Sequence, residues 1–474
     1  MLFKGGRESE INELPLNQPR FRKAMSEAPK TLEDKLKLYK NPQEMLRNAP
    51  VGPYVFPIES EFSNWRDEQE AWQKTAVLFD LSKHMTDIIF EGPDLMQLLQ
   101  DFCVNSFAKF APGKAKQIVC CNPDGYVIGD AILFGYSLTR MATSGRPSVP
   151  NWLAYQAEKG GYDVTVTRDE RSVSNPSQRK NYRFQVQGPN AKPIFEKACD
   201  GELPDIKFFN MGSFKIAGCT VHALNHGMSR TGGLELHGPS EEAETVRNAI
   251  LEAGEAFGLK QAGARAYSTV SIESGWIPSP MPAIFTGEGM KEYREWLPAD
   301  GFEANASLGG SFYSDNIEDY YQTPWDLGYG RHVKFDHDFL GRAALEKLQD
   351  QPHRQKCWLI WDKEDVLKIW GSMLGAGDRY KYLEVPGSQY STLPFDTVLD
   401  GEEMVGLATY NVYTSNARSW FSLAMVDEAK VEDGKTYTII WGEEDGGSAK
   451  PTVERHVQTE VKAVLHTERP PALG

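Results

Sequence analysis

The sequence predicts an α+β protein that ends in a small β-barrel, and three observations predict it. Runs rich in β-branched and aromatic residues alternate with helical stretches from about residue 50 to residue 350. Strand pairs in that region are joined by tight turns, above all Asn-Pro-Asp-Gly at 122–125, so antiparallel pairing is expected rather than a doubly wound sheet. After about residue 350 the chain turns to short strands separated by Gly, Asp and Glu, the mark of a barrel or sandwich.

Taken in order, residues 1–45 are polar and rich in Lys, Glu and Pro, and read as an N-terminal extension with one amphipathic helix near "TLEDKLKLYK". A compact unit begins at "VGPYVFPIESEFSNWRDEQEAWQKTAVLFD", where Trp65, Gln69 and Trp72 fall on one helical face. "DIIFEG" is a strand and "GPDLMQLLQDF" the helix after it. "GKAKQIVCCNPDGYVIGDAILFGY" is a hairpin. "YRFQVQGPNAKPIFEKAC" is a strand, a Gly-Pro break and a helix. Alternation along its strand puts Arg183, Gln185 and Gln187 on one face, opposite Tyr182, Phe184 and Val186. "FKIAGCTVHALNHG" and "GGLELHGP" are strands, followed by the helix "SEEAETVRNAILEAGEAFG". "KCWLIWD", "MVGLATYNVY", "FSLAMVD" and "KTYTIIWG" supply the barrel. The expected units are 1–45, 46–350 and 351–474.

The 474 residues, 40% hydrophobic and 25% charged, suit a soluble protein of two or three domains. A net charge of −15 argues against nucleic-acid or anionic-membrane binding, which need a basic surface, but permits a small anionic ligand held by one or two local cations. The six cysteines form no CxxC pairs and read as reduced thiols. No signal-peptide pattern and no bilayer-length apolar run occur, so a cytoplasmic location is expected.

Common motifs are missing. There is no GxxxxGK[ST] phosphate loop, and "GSMLGAGDR" lacks the GxGxxG order. No HExxH or Cys-His metal spacing is present, nor the pairs that hold a Rieske cluster. "KFDHDF" around His337 reads as an exposed charged loop, so no metal is expected.

Six segments in order resemble the glycine-cleavage T-protein (aminomethyltransferase) family. They are "AVLFDLSKHMTDIIFEGPDLMQLLQ", "PGKAKQIVCCNPDGYVIGDAILF", "FQVQGPNA", "GGLELHGP", "ESGWIPSP" and "LGYGRHVKFDHDFLGRAAL". The resemblance implies a three-domain cloverleaf, with residues 46–350 as two interleaved α+β subdomains that bind folate and a C-terminal barrel after them. The chain departs from the family at Lys83, which interrupts a Ser-His pair. It departs also at "GD" before Ala131, which leaves only Asp130 of an Asp-Asp pair, at "RTGGLE", and in an insertion over residues 282–316. "MLRNAPVGPYVFP", "EFSNWRDEQEAW", "ARAYS", "ESGWIPSPMPAIFTG" and "IEDYY" are closer to the vanillate, 3-O-methylgallate and syringate O-demethylases of that superfamily.

This resemblance implies methyl transfer from an aromatic methyl ether acid to N5 of tetrahydrofolate. The reactants must then be aligned and the departing phenolate protonated or stabilised. Locally, Tyr267 reads as a core tyrosine; the resemblance makes it the proton-handling residue, with a phenol pKa of about 10 that matches the leaving group. His84 has the same two readings, core histidine or partner of the phenolic oxygens. Arg146, in a Ser-Gly-Pro loop, becomes the fork for the substrate carboxylate. Ser82 and Phe56 are placed at the substrate with it; Phe56 stands where the vanillate-type relative has Tyr, which leans the reading to syringate. Gln185 and Glu235 become the pterin contacts, and Trp276 a ring wall. Asp130 is a remnant of the hairpin pair. The alternatives are a folate-dependent demethylase of a sulfonium or N-methyl substrate, and a non-catalytic folate-binding relative.

Overall fold

The computed structural model describes residues 28–172, 179–278, 280–447 and 450–469; residues 1–27 of the expected extension lie outside them. What is described of that extension is bound to the body. Thr31 caps helix Leu32–Leu36 by accepting from Asp34 N, and Asn41 caps helix Pro42–Arg47 by accepting from Glu44 N. Leu32, Met45 and Leu46 are buried in the largest hydrophobic core. The expected unit boundary after residue 45 is therefore corrected, because it cuts a helix whose apolar side is part of that core.

Helix Trp65–Lys74 buries Trp65, Gln69 and Trp72 on the side read from the sequence and leads into β1 (Ala76–Asp80). The chain then changes sheets. β2 (Thr86–Glu91), the hairpin β3 (Ala115–Cys121) and β4 (Val127–Gly135), β5 (Arg140–Gly145) and β6 (Thr165–Asp169) form a five-stranded antiparallel sheet, order β3-β4-β5-β2-β6. β7 (Asn181–Gln187), β8 (Met211–Ile216), β9 (Cys219–Leu224), β10 (Gly233–Pro239) and β11 (Leu259–Ala262) return to β1 in a six-stranded sheet, order β11-β1-β7-β10-β9-β8. β1 runs parallel to β11 and antiparallel to β7. Residues 81–85 are thus the crossing from one sheet to the other.

The two-residue strands β12 (Leu308–Gly309) and β14 (Leu393–Pro394) pair with each other. Between and after them, β13 (Arg354–Trp361), β15 (Asp396–Asp400), β16 (Glu403–Thr414), β17 (Ser419–Asp427), β18 (Thr436–Trp441) and β19 (Thr459–His466) close into a barrel, with β19 paired back onto β13. Trp361, Trp420 and Trp441 fill its interior. The fold class read from the sequence, α+β with a C-terminal β-barrel, is the observed one.

The insertion at 282–316 and the N-terminal helices pack on each other. Leu32 N donates to Leu297 O, and the buried Arg294 pairs with Glu33 at 2.6 Å. The insertion is thus covered by the N-terminal helices. The six cysteines are free thiols. No described helix is long and apolar enough to cross a membrane.

Candidate active site

Two cavities meet where the chain crosses between the sheets. The larger, about 510 Å³, is lined among others by Asp130, His226, Arg230, Glu235 and Lys356. The smaller is lined by Tyr54, Phe56, His84 and Tyr267. Both are walled by Met85, Gly145, Arg146, Met228, Trp276 and Pro278, which form the neck between them. A ligand in one cavity and a ligand in the other would meet across these six residues.

Tyr267 comes from helix Ala264–Ser274, which packs on helix Trp65–Lys74. Gln69 donates to Thr269 Oγ1 and Trp72 Nε1 to Glu273, so the two amide- and indole-bearing positions of the first helix fix the second. Gly275 ends that helix at φ +80°, where a side chain would be strained and would strike Trp358; the turn aims Trp276 into the neck. Tyr267 Oη lies 2.9 Å from His84 Nε2 and 3.5 Å from Met228 Sδ. Phe56 sits edge-on to both rings, at 4.8 Å from Tyr267 and 5.2 Å from His84. Burial pushes the Tyr267 phenol well above its ordinary range. Burial, reinforced by the guanidinium groups of Arg146, Arg179 and Arg171, pushes the His84 imidazole down to about 3, so it is neutral at physiological pH.

Arg146 follows β5 directly. Its guanidinium stacks 4.2 Å over the Tyr54 ring, which leaves the edge of the fork free, and its buried Nη1 has no hydrogen-bond partner. His84 Nδ1 and Gln185 Oε1 are buried and unpartnered as well. Three of the residues expected at the site thus hold unused hydrogen-bonding capacity, which a bound ligand can fill.

On the other side of the neck, β7 and β10 pair so that Gln185 opposes Glu235. The alternation read from the sequence holds: Tyr182, Phe184 and Val186 enter one core, and Arg183, Gln185 and Gln187 point away from it. Arg183 Nη1 donates to Glu235 Oε1 at 2.6 Å and Nη2 to Asp87 Oδ1 at 3.2 Å, all three side chains being buried. Asp87 belongs to β2, so this ion pair ties the carboxylate of one sheet to the other sheet. Gln185 is fully buried, donates to Glu235 Oε2 and to His226 O, and does not line the larger cavity. It stands behind Glu235 and orients it, with its own Oε1 left unpartnered.

The Ser82 hydroxyl donates to Arg183 O and accepts from Arg183 N, and Ser82 lines neither cavity. The side chain pins the crossing segment to β7. Asp130 gains weight. Its carboxyl lines the larger cavity, accepts from Gln117 Nε2 at 2.8 Å, and is raised by burial against hydrogen bonds from Gln117, Tyr329 and Trp276. Met228, His226 and the Arg183–Asp87 pair carried no sequence signal beyond the position of Arg183 on its strand face.

The larger cavity suits an anionic, ring-bearing cofactor. Glu235 offers carboxylate acceptors, Trp276 a flat wall, and Arg230, Arg331 and Lys356 cations. None of those three has a carboxylate within ion-pair distance among the described residues, and burial beside Arg230 pulls the Lys356 amine down to about 8. His337 pairs with Asp336 at 2.9 Å, and no group of three or more His, Cys, Asp or Glu among the described residues could hold a metal.

The comparisons with known proteins agree with this layout. The GCVT N-terminal domain matches residues 39–279. The chain is 46% identical over 438 residues to a syringate O-demethylase from Sphingobium sp. (strain NBRC 103272 / SYK-6), covering 92% of this chain and 95% of that one. It is 27% identical over 408 residues to a sesamin methylene transferase from Sinomonas sp. (strain No.22), covering 81% and 86%. The crystal structure of the glycine cleavage system aminomethyltransferase T from Bartonella henselae superposes with a TM-score of 0.57 at 16% identity, over 89% of this chain and 93% of that one, a likeness of fold.

Proposed function

The chain belongs to the GCVT family of aminomethyltransferase-like enzymes, and on that footing we propose that it is a tetrahydrofolate-dependent O-demethylase of methoxybenzoates, with syringate favoured over vanillate and 3-O-methylgallate. The observation that carries the reading is the shared neck: one cavity with a buried Tyr–His pair opens directly onto another with a fixed carboxylate and free cations. Tetrahydrofolate supplies the N5 lone pair that takes the methyl group. Everything else falls to side chains of this protein.

Glu235, held by Arg183 and Gln185, accepts from the pterin N–H groups, and Trp276 flanks the ring. Arg230, Arg331 and Lys356 would receive the carboxylates of the tail, local cations that suit an anionic cofactor on a chain of net charge −15. In the smaller cavity Arg146 takes the benzoate carboxylate through its free fork. Tyr267 delivers a proton to the departing phenolate, and His84, neutral, stays hydrogen-bonded to Tyr267. The benzene face of Phe56, without a hydroxyl, supports a substrate with a second methoxy group. In this scheme the protein works on a small aromatic acid and needs no nucleic acid, membrane or metal, and a cytoplasmic location goes with that reading.

A panel of methoxybenzoates incubated with the purified protein, with and without tetrahydrofolate, tests the proposal. Phenol and 5-methyltetrahydrofolate should appear together, and only when folate is present. Demethylation without folate, or no turnover of any methoxybenzoate, would sink it. Within the panel, Arg146→Ala is expected to raise KM for benzoates about 10–100-fold, the size of a lost charge-assisted hydrogen bond. It should narrow the gap between a benzoate and its neutral aldehyde; an unchanged KM would remove Arg146 from carboxylate binding.

A further inference from the structure

Two protons and three acceptors meet at the inner end of the smaller cavity. The protons are the ring N–H of neutral His84 and the O–H of Tyr267. The acceptors are the bare His84 nitrogen, the Tyr267 oxygen and the Met228 thioether, a weak but real acceptor. Tyr267 Oη is 2.9 Å from His84 Nε2 and 3.5 Å from Met228 Sδ, while His84 Nδ1 is buried with no partner.

Two arrangements use these contacts. In the first, Tyr267 donates to Nε2. The ring proton then sits on Nδ1, a buried N–H without an acceptor, and the thioether accepts nothing. In the second, Nε2–H donates to Tyr267 Oη, the Tyr267 O–H donates to Met228 Sδ, and Nδ1 keeps only a lone pair. The second makes two hydrogen bonds where the first makes one. Its unused group is a lone pair, which buried sites tolerate better than an orphaned N–H. The guanidinium groups of Arg146, Arg179 and Arg171 around the imidazole also favour a bare lone pair over another donor.

We propose that Met228 is a positioning residue whose thioether accepts the Tyr267 hydroxyl, fixing His84 as the Nε2–H tautomer and keeping the Tyr267 O–H aimed into the neck between the cavities. The loop that carries Met228 is built for placement. Gln187 donates through Nε2 to His226 O and accepts through Oε1 from Ser229 N and Ser229 Oγ. A Cβ on Gly227 would come within 2.1 Å of the Gln187 amide, so a larger residue there would displace the side chain that ties the loop. Met228 is thereby held at the one wall shared by both cavities.

The consequence for chemistry rests on the methyl-transfer reading above. As the methyl C–O bond breaks, its electron pair would stay on the phenolic oxygen while the methyl group leaves for the N5 lone pair that bound tetrahydrofolate would supply. Tyr267 turns its O–H from sulfur to that oxygen and gives up the proton. The tyrosinate would be held by His84 Nε2–H until solvent returns a proton to it, the balance being the one N5 would shed on methylation. A sulfur acceptor releases the O–H easily; the imidazole nitrogen would keep it.

The test is ¹⁵N NMR of the full chain labelled on histidine nitrogens, with no ligand added, and His84 assigned by its absence in His84→Gln. The wild type is expected to show His84 protonated on Nε2, and Met228→Leu, of similar volume but without a lone pair, to switch it to Nδ1. In Met228→Leu kcat should fall about tenfold, a fraction of the loss of a proton donor, with an unchanged thermal denaturation midpoint as the check on folding. Protonation on Nδ1 in the wild type, or one tautomer in both proteins, overturns the proposal. Because the tautomer is read without substrate, a failure to demethylate would overturn the functional reading and leave this result standing.

Discussion

Replacing Tyr267 by phenylalanine is expected to lower kcat by about 10²–10⁴-fold, the usual range for losing a positioned general acid, with tetrahydrofolate affinity preserved. The ring is packed edge-on by Phe56 and Phe79, so the variant keeps its shape and loses only the hydroxyl. The same geometry predicts the pH profile. His84 titrates near 3 in the folded protein against about 6.5 when unfolded, so it contributes no acid limb to kcat/KM above about pH 4. For stability the sign follows from linkage. The unfolded chain binds a proton that the folded one refuses, so this contribution is complete above about pH 6.5 and is lost as pH falls from there toward 3. A Tyr267→Phe enzyme that turns over near the parent rate would remove the proton-handling role.

Arg183→Met is expected to cost about 3–5 kcal/mol of folding stability, the penalty for stranding a buried ion-pair partner. Two carboxylates are left behind here, Glu235 and Asp87, with Asp87 retaining Arg179 at 2.9 Å. The pair also fixes Glu235, so cofactor binding should weaken in protein that still folds. Chemical denaturation and tetrahydrofolate titration read the two effects separately. A double change, Arg183→Met with Glu235→Gln, should recover part of the stability and none of the binding. An unchanged denaturation midpoint in the single variant would show that the two sheets do not depend on this link.

Much of the fold was legible because its signals are local. The Asn-Pro-Asp-Gly turn is a closed unit: Asn122 Oδ1 accepts from Asp124 N and Tyr126 N, and β3 and β4 pair on either side of it. The barrel announced itself by strand length and turn residues, and the face of Arg183, Gln185 and Gln187 by simple alternation. The site was legible as a set of residues through family resemblance, and only partly as geometry. His84 and Tyr267 are 183 residues apart, and no periodicity connects them. The crossing of residues 81–85 between two sheets is a tertiary event, and it decides that Ser82 faces the β7 backbone while His84 and Met85 reach the cavities. Gln185 shows the same limit from another side: alternation places it on the correct face, but depth along that face puts it behind Glu235. Residues up to 45 read as an extension because they are polar as a group, yet helix Pro42–Arg47 crosses that boundary and buries Met45 and Leu46 in the core.

The most direct test of methyl transfer to folate is to follow the carbon. With syringate labelled with ¹³C in its methoxy groups, tetrahydrofolate and the purified protein, ¹³C NMR is expected to show the label appearing on N5 of folate in step with the demethylated phenol. Label released as formaldehyde or methanol, with tetrahydrofolate unchanged, would contradict the account.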